Sequence, residues 1–185
     1  NTSGDEIAET ALLEEEFAAA TGAKYCLAVA SGGYAMTTAL RACGVGHGDH
    51  VLTNAFTLAP VPGAIAAVGA VPVFIGVTED LVIDLDDLAA KLRQANVLLL
   101  RHMRGHICDM ERLMALCDAA DVTVIEDCAH TMGAAWNGVP SGRWGHFGCY
   151  STQTYKHMNS GEGGFLICDG AEDMARAIML SGSYM

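Results

Sequence analysis

The stretch YSTQTYKHMNSGEGG, residues 150–164, sets Lys156 between hydroxyl-bearing residues and a glycine cluster, five positions after Ser151. The chain has only three lysines, Lys24, Lys91 and Lys156, and only the last has this loop chemistry, which argues against an ordinary solvated surface charge. An amine held in such a loop with part of its water removed loses affinity for its proton and becomes a nucleophile toward an aldehyde. Two other stretches carry groups suited to the same chemistry. In VIEDCAH, residues 124–130, Glu126, Asp127 and His130 follow an apolar run. Consecutive carboxylates there are hard to bury, so at least one should face a polar ligand or a cation, and for Glu126 a helix cap is the other reading. In ASGGYAM, residues 30–36, Ser31, Gly32 and Gly33 lead into a helical pattern. Small residues there let backbone N–H groups approach an anion and the helix dipole favours a phosphate, although a plain glycine turn is written with the same letters.

These groups need strand ends to hold them. Short apolar runs at 25–30 (YCLAVA), 50–53 (HVLT), 71–75 (VPVFI), 96–100 (NVLLL), 122–126 (VTVIE), 147–151 (FGCYS) and 164–168 (GFLIC) predict seven strands. Helical patterns alternate with them near 33–43, 60–69, 85–93, 109–120 and 171–180, with Asp84 and Asp109 as N-caps. A first helix is predicted from a capping box at Ser3 and Glu6, through IAETALLEEEFAAA, to a stop at Gly22. This alternation predicts an α/β fold. Runs such as VLLL and VTVI are apolar without a break, which suits strands covered on both faces of a largely parallel sheet. Ligands collect beyond the carboxyl ends of such strands, and each of the three groups follows a predicted strand directly.

A phosphate cradle, a strand-end aspartate and a loop lysine together describe a site for pyridoxal 5'-phosphate. The lysine forms the Schiff base, the cradle holds the phosphate, and the aspartate keeps the ring nitrogen protonated so that the ring accepts electrons when a Cα–H bond breaks. The chain resembles the DegT/StrS-type sugar aminotransferases, of the aspartate aminotransferase fold type I, along most of its length. The likeness is carried by TGAKYCLAVASGG, GVGHGDHVLTNAFTLA, VIEDCAHTMGAAWNG, GRWGHFGCYST and YKHMNSGEGGFLI, and by the 29-residue spacing from Asp127 to Lys156.

The resemblance implies a three-layer αβα large domain over residues 1–185 with a seven-stranded, mostly parallel sheet. It also implies a smaller C-terminal domain absent from this chain, which reads as a piece of a longer protein, and a homodimer with active sites at the interface. It makes Lys156 the Schiff-base lysine and later the proton carrier, and puts Asp127 on the ring nitrogen. His130 lies beside the ring, and Gly32, Gly33 and Ser151 lie on the phosphate. The substrates are a keto-sugar, either a nucleotide-linked keto-hexose or an 8-keto octulosonate, and an amino donor, generally glutamate. STQTYKHMNSGEGG and RHMRGHICDM resemble the branch that aminates the 8-position of the octulosonate Kdo, a lipopolysaccharide sugar acid. Arg101, Arg104 and His106 would then meet a carboxylate of substrate or donor, with His102 a loop residue near the cofactor.

Four positions depart from the family pattern. Leu58 stands where an aromatic residue usually stacks on the ring, Gly33 and Tyr34 replace the common Thr-Ala, and His146 replaces an Asp. Some relatives carry histidine in place of the lysine and dehydrate sugars, and His157 adjoins Lys156; a non-catalytic relative is a third reading.

Composition excludes other classes. A net charge of -12 with only ten Lys and Arg gives no basic footprint for nucleic acid. Seven scattered cysteines without a CxxC pair read as reduced thiols of a cytoplasmic protein, and the polar N-terminus reads as no signal peptide. His102, His106 and Cys108 have HxxxHxC spacing, but they follow a strand and include Gly105, so no metal site is expected. Residues 52–78 contain no charge, yet Pro60, Pro62, Pro72, Gly63, Gly69 and Gly76 interrupt them. They read as a buried helix followed by a buried strand, not a membrane span.

Overall fold

A computed structural model describes residues 8–182. In chain order it contains α1 (Glu9–Thr21), β1 (Tyr25–Val29), α2 (Gly32–Ala42), β2 (His50–Asn54), α3 (Pro60–Ala67), β3 (Val71–Ile75), α4 (Leu85–Lys91), β4 (Val97–Arg101) and α5 (Met110–Ala119). There follow β5 (Thr123–Asp127), β6 (Ala135–Trp136), β7 (Val139–Pro140), β8 (Phe147–Ser151), β9 (Gly164–Cys168) and α6 (Ala171–Ser181). The predicted caps form: Asp84 accepts from the N–H groups of Asp86 and Asp87, and Asp109 from that of Arg112. Helix α1 stops at Gly22, which is left-handed at φ 75° and satisfies the carbonyls of Ala18 and Ala19. Its start differs from expectation, because Ala8 is extended and the helix opens at Glu9. Ser3 and Glu6 lie outside the described residues.

All seven predicted strands join one sheet in the order β1-β9-β8-β5-β4-β2-β3. Only β9 is reversed, pairing antiparallel with both β1 and β8, while the other neighbours are parallel. Side chains alternate across the sheet with period two. One face, with Leu52, Leu98, Leu100 and Val124, packs on Leu88 of α4 and Leu113 of α5, and continues through Tyr150, Phe165 and Ile167 onto Phe17 of α1. The other face, with Val51, Leu99, Ile125 and Leu166, packs on α2, α3 and α6. Helices thus cover both faces, as in the three-layer arrangement. The unbroken apolar runs have the predicted cause: all five residues of β4 are buried. Burying each leucine there contributes about 1.5–3 kcal/mol.

Two local expectations need correction. β3 is the sheet edge and not a buried strand, with Val71 47% and Phe74 46% exposed. The small hairpin of β6 and β7 was not anticipated, although Asn137 and Gly138 both have positive φ between its strands and Asn-Gly is the dipeptide such turns select. Among the described residues, no helix is long and apolar enough to cross a membrane.

Candidate active site

β4, β5 and β8 end side by side, delivering Arg101, Asp127 and Ser151 to one edge of the sheet. Period two sends the adjacent carboxylates of β5 to opposite faces. Glu126 turns toward the α5 side, fully buried, and accepts from the backbone N–H groups of Gly142 at 2.9 Å, Trp144 at 2.8 Å and Gly145 at 2.7 Å. His102 Nε2 lies 3.0 Å from the same carboxylate. Glu126 is therefore neither a helix cap nor a ligand-facing group, but the anchor of the loop leading into β8. Asp127 turns toward α2.

A cavity of about 430 Å³ opens there, bordered by Gly32, Gly33, Leu58, Asp127, Ser151 and Lys156 together with Ser31 and Arg101. Six of the seven candidate residues thus converge, brought by four separate segments of the chain. The seventh, His130, borders an outer cavity of about 240 Å³ with Arg104 and His157, and Lys156 and Ala129 border both. A third cavity, about 440 Å³, lies at the amino ends of β2 and β4 and contains none of the candidates.

Helix α2 begins at the cavity wall. Ser31 caps it, its Oγ accepting from the N–H of Tyr34 at 3.1 Å. The backbone there is wedged between strands: a Cβ on Gly32 would lie 2.8 Å from Ser151 Cβ and 3.2 Å from the Tyr150 carbonyl, and one on Gly164 only 2.7 Å from the Gly32 nitrogen. Gly32→Ala is expected to lose about 1–3 kcal/mol by overpacking, read from the urea midpoint. Gly33, whose Cβ would meet only Ser31 Oγ at 3.8 Å, should accept alanine with no loss or a gain of up to about 1 kcal/mol.

Lys156 sits where the loop turns back, its N–H donating to the Gln153 carbonyl at 2.8 Å. Partial burial, then the positive charge of Arg101 and to a smaller extent Arg104, hold its amine below the usual lysine range, against an opposing pull from Asp127. His130 is pushed down to about 4 by burial and by the nearby cations, led by Arg101. Its Nδ1 accepts the Arg104 N–H at 3.0 Å, which places the proton of the neutral ring on Nε2.

The arginine and histidine expectations around β4 are corrected by this geometry. Arg101 meets a carboxylate of the chain itself: its Nη1 pairs with Asp127 Oδ2, and its Nη2 lies 2.9 Å from His130 Nδ1. His102 is 1% exposed beneath the sheet and does not border the cavity. His106 is exposed and Cys108 Sγ faces Met110 Sδ at 3.7 Å, so the HxxxHxC residues do not converge. The ligand atoms of His102, Glu126 and Cys128 do gather within 4.8 Å, but the glutamate oxygens already accept the loop N–H groups.

The profile of the DegT/DnrJ/EryC1/StrS aminotransferase family matches residues 2–183. The chain belongs to this family. Among its relatives, the L-glutamine:2-deoxy-scyllo-inosose aminotransferase of Streptomyces lividus is 36% identical over 88% of the chain and 38% of its own length. The GDP-perosamine synthase of Vibrio cholerae is 33% identical over 83% of the chain and 42% of its own length. The structure of S. venezuelae DesV in complex with a ketimine intermediate superposes with a TM-score of 0.89 at 31% identity, covering 96% of the chain and 49% of DesV. The chain therefore spans about half or less of the family members it matches, and the part it spans has their fold. Arg101 pairs with Asp127 only through the register of β4 and β5, which is a property of the folded sheet and has no signal in the sequence.

Proposed function

We propose that the protein is a pyridoxal-phosphate-dependent sugar aminotransferase, of which residues 1–185 form the cofactor-binding large domain. The observation that carries this reading is the shared cavity, where a helix amino end, Ser151, Asp127 and Lys156, its amine held below the usual lysine range, border one space. Bound there, pyridoxal phosphate would supply an aldehyde for capture and a ring that accepts electrons from a breaking Cα–H bond. Gly32 and Gly33 offer backbone N–H groups at the start of α2, and Ser151 a hydroxyl, for the phosphate. Leu58, which borders the cavity, would offer the bound ring an aliphatic contact. Lys156 would hold the group through its amine and would be the residue that moves the proton taken from the substrate carbon. Neutral His130 lines the outer approach.

The acceptor is a keto-sugar and the donor an amino acid, glutamate or glutamine. The relatives named for L-glutamine-dependent and sugar nucleotide chemistry support that class. Within it, we place the 8-keto octulosonate of the Kdo branch first, on the strength of the RHMRGHICDM resemblance and of the exposed Arg104 beside the outer cavity, a cation suited to a sugar-acid carboxylate. A homodimer and a smaller C-terminal domain would complete the substrate side. Seven unpaired cysteines suit a reducing, cytoplasmic setting.

The test is to incubate the protein with pyridoxal phosphate, reduce it with borohydride and map the pyridoxyl adduct. An adduct on Lys156 is expected. No adduct on Lys156 of the folded protein overturns the reading. Geometry favours the lysine over its neighbour, since His157 borders only the outer cavity.

A further inference from the structure

We propose that the outer cavity is the recognition subsite for the keto-sugar, in which Arg104 pairs with the carboxylate of a sugar acid and Tyr155 seats its ring. This deepens the reading above and rests on Lys156 being the lysine that holds the cofactor. Arg104, His130, Tyr155, Lys156 and His157 border this cavity, and no acidic residue does. In a chain of net charge -12 that is a local reversal of sign. An anion is drawn to such a place, and a neutral sugar is not.

Arg104 is the permanent cation of the cavity. Arg101, Arg112 and Arg143 each pair with an aspartate, whereas Arg104 has no ion-pair partner among the described residues. Its backbone is what fixes it. The Arg104 N–H donates to His130 Nδ1 at 3.0 Å, and the turn is closed by the Gly105 N–H on the His102 carbonyl at 3.3 Å and the His106 N–H on the Met103 carbonyl at 3.1 Å. Arg104 is left-handed at φ 57°. Glycine occupies that region without penalty, so a cation is carried here at a position the backbone would give to glycine. The guanidinium is close enough to the chemistry for its charge to act on both Lys156 and His130. Lys156 borders the inner cavity as well, so an acceptor held at Arg104 has room to extend to the amine.

Tyr155 precedes that lysine and is 90% exposed, the most exposed large hydrophobic side chain among the described residues. A tyrosine on a cavity rim can pack its ring on the C–H face of a sugar while its hydroxyl stays wet. A carboxylate matches the planar guanidinium fork with two parallel hydrogen bonds. A sugar nucleotide carries two phosphate charges and this cavity offers one permanent cation, which favours the sugar acid.

The experiment is titration calorimetry of the protein loaded with pyridoxal phosphate, using Kdo, its C1 methyl ester and UDP-glucose, with borohydride mapping of the same sample. The wild type should bind Kdo about tenfold or more tighter than the ester, and tighter than UDP-glucose. Arg104→Gly, which suits the left-handed backbone and so keeps the fold, should bind acid and ester alike, and Arg104→Lys should recover part of the preference. Tyr155→Ala should weaken acid and ester together, by about 2–10-fold. Equal affinity for acid and ester in the wild type, with the Lys156 adduct in place, overturns this inference alone and needs no variant to fold. A preference for UDP-glucose that Arg104→Gly abolishes would give the arginine to a phosphate and overturn it too. Absence of the adduct overturns the cofactor reading beneath it.

Discussion

Glu126→Ala should lower stability by about 3–5 kcal/mol, among the largest single losses in the chain, and the urea unfolding midpoint will read it. The carboxylate is fully buried and is the common acceptor for three backbone N–H groups and the neighbour of His102 Nε2. Alanine leaves those donors without that acceptor, the Gly142 N–H in a buried place and those of Trp144 and Gly145 in partly buried ones, and each buried orphan costs about 1–3 kcal/mol. Glu126→Gln should also destabilise, because one of its two terminal atoms presents hydrogens to donors already pointing at it. If both variants unfold at the wild-type midpoint, the loop of residues 142–145 is not anchored as described.

If Lys156 is the nucleophile and proton carrier proposed above, Lys156→Ala should slow the half-reaction with glutamate by about 10³-fold or more. His157→Ala should leave it within about threefold, because an exposed group at the outer cavity takes no part in proton transfer. Stopped-flow measurement of cofactor capture against pH adds a sign. Burial and the Arg101 charge hold the folded pKa of Lys156 below 10.5. The neutral, reactive amine therefore persists to lower pH than in a free lysine, and the midpoint of the rate profile should fall below 10.5. The same shift makes the unfolded chain bind more protons between the two pKa values, so Lys156 opposes folding below its folded pKa and that opposition fades as pH rises to the unfolded value. A midpoint at or above that of a free lysine would show the amine to be fully solvated.

Much of this site is legible in the sequence because the sheet does the positioning. VLLL and VTVIE announce buried parallel strands, and the residues just after such runs necessarily meet at one edge. Gly32, Gly33, Asp127, Ser151 and Lys156 follow from that rule. Less legible is anything fixed by which face a residue takes. Glu126 and Asp127 are one position apart and differ in every contact, yet only the placement of the loop at 142–145 shows which is spent on structure. Arg101 reads as a loop cation until β4 and β5 are laid in register. The exposure of β3 was equally out of reach, since an edge strand and a central one differ by their neighbours and not by VPVFI itself.

The wedge that holds Gly32 against Tyr150, Ser151 and Gly164 has one more implication. The seat at the start of α2 is cut from main chain, with neighbouring backbone as its mould. Side chains around it can change and the seat keeps its shape. Side chains at the cavity mouth can then be exchanged without recutting the seat at the start of α2.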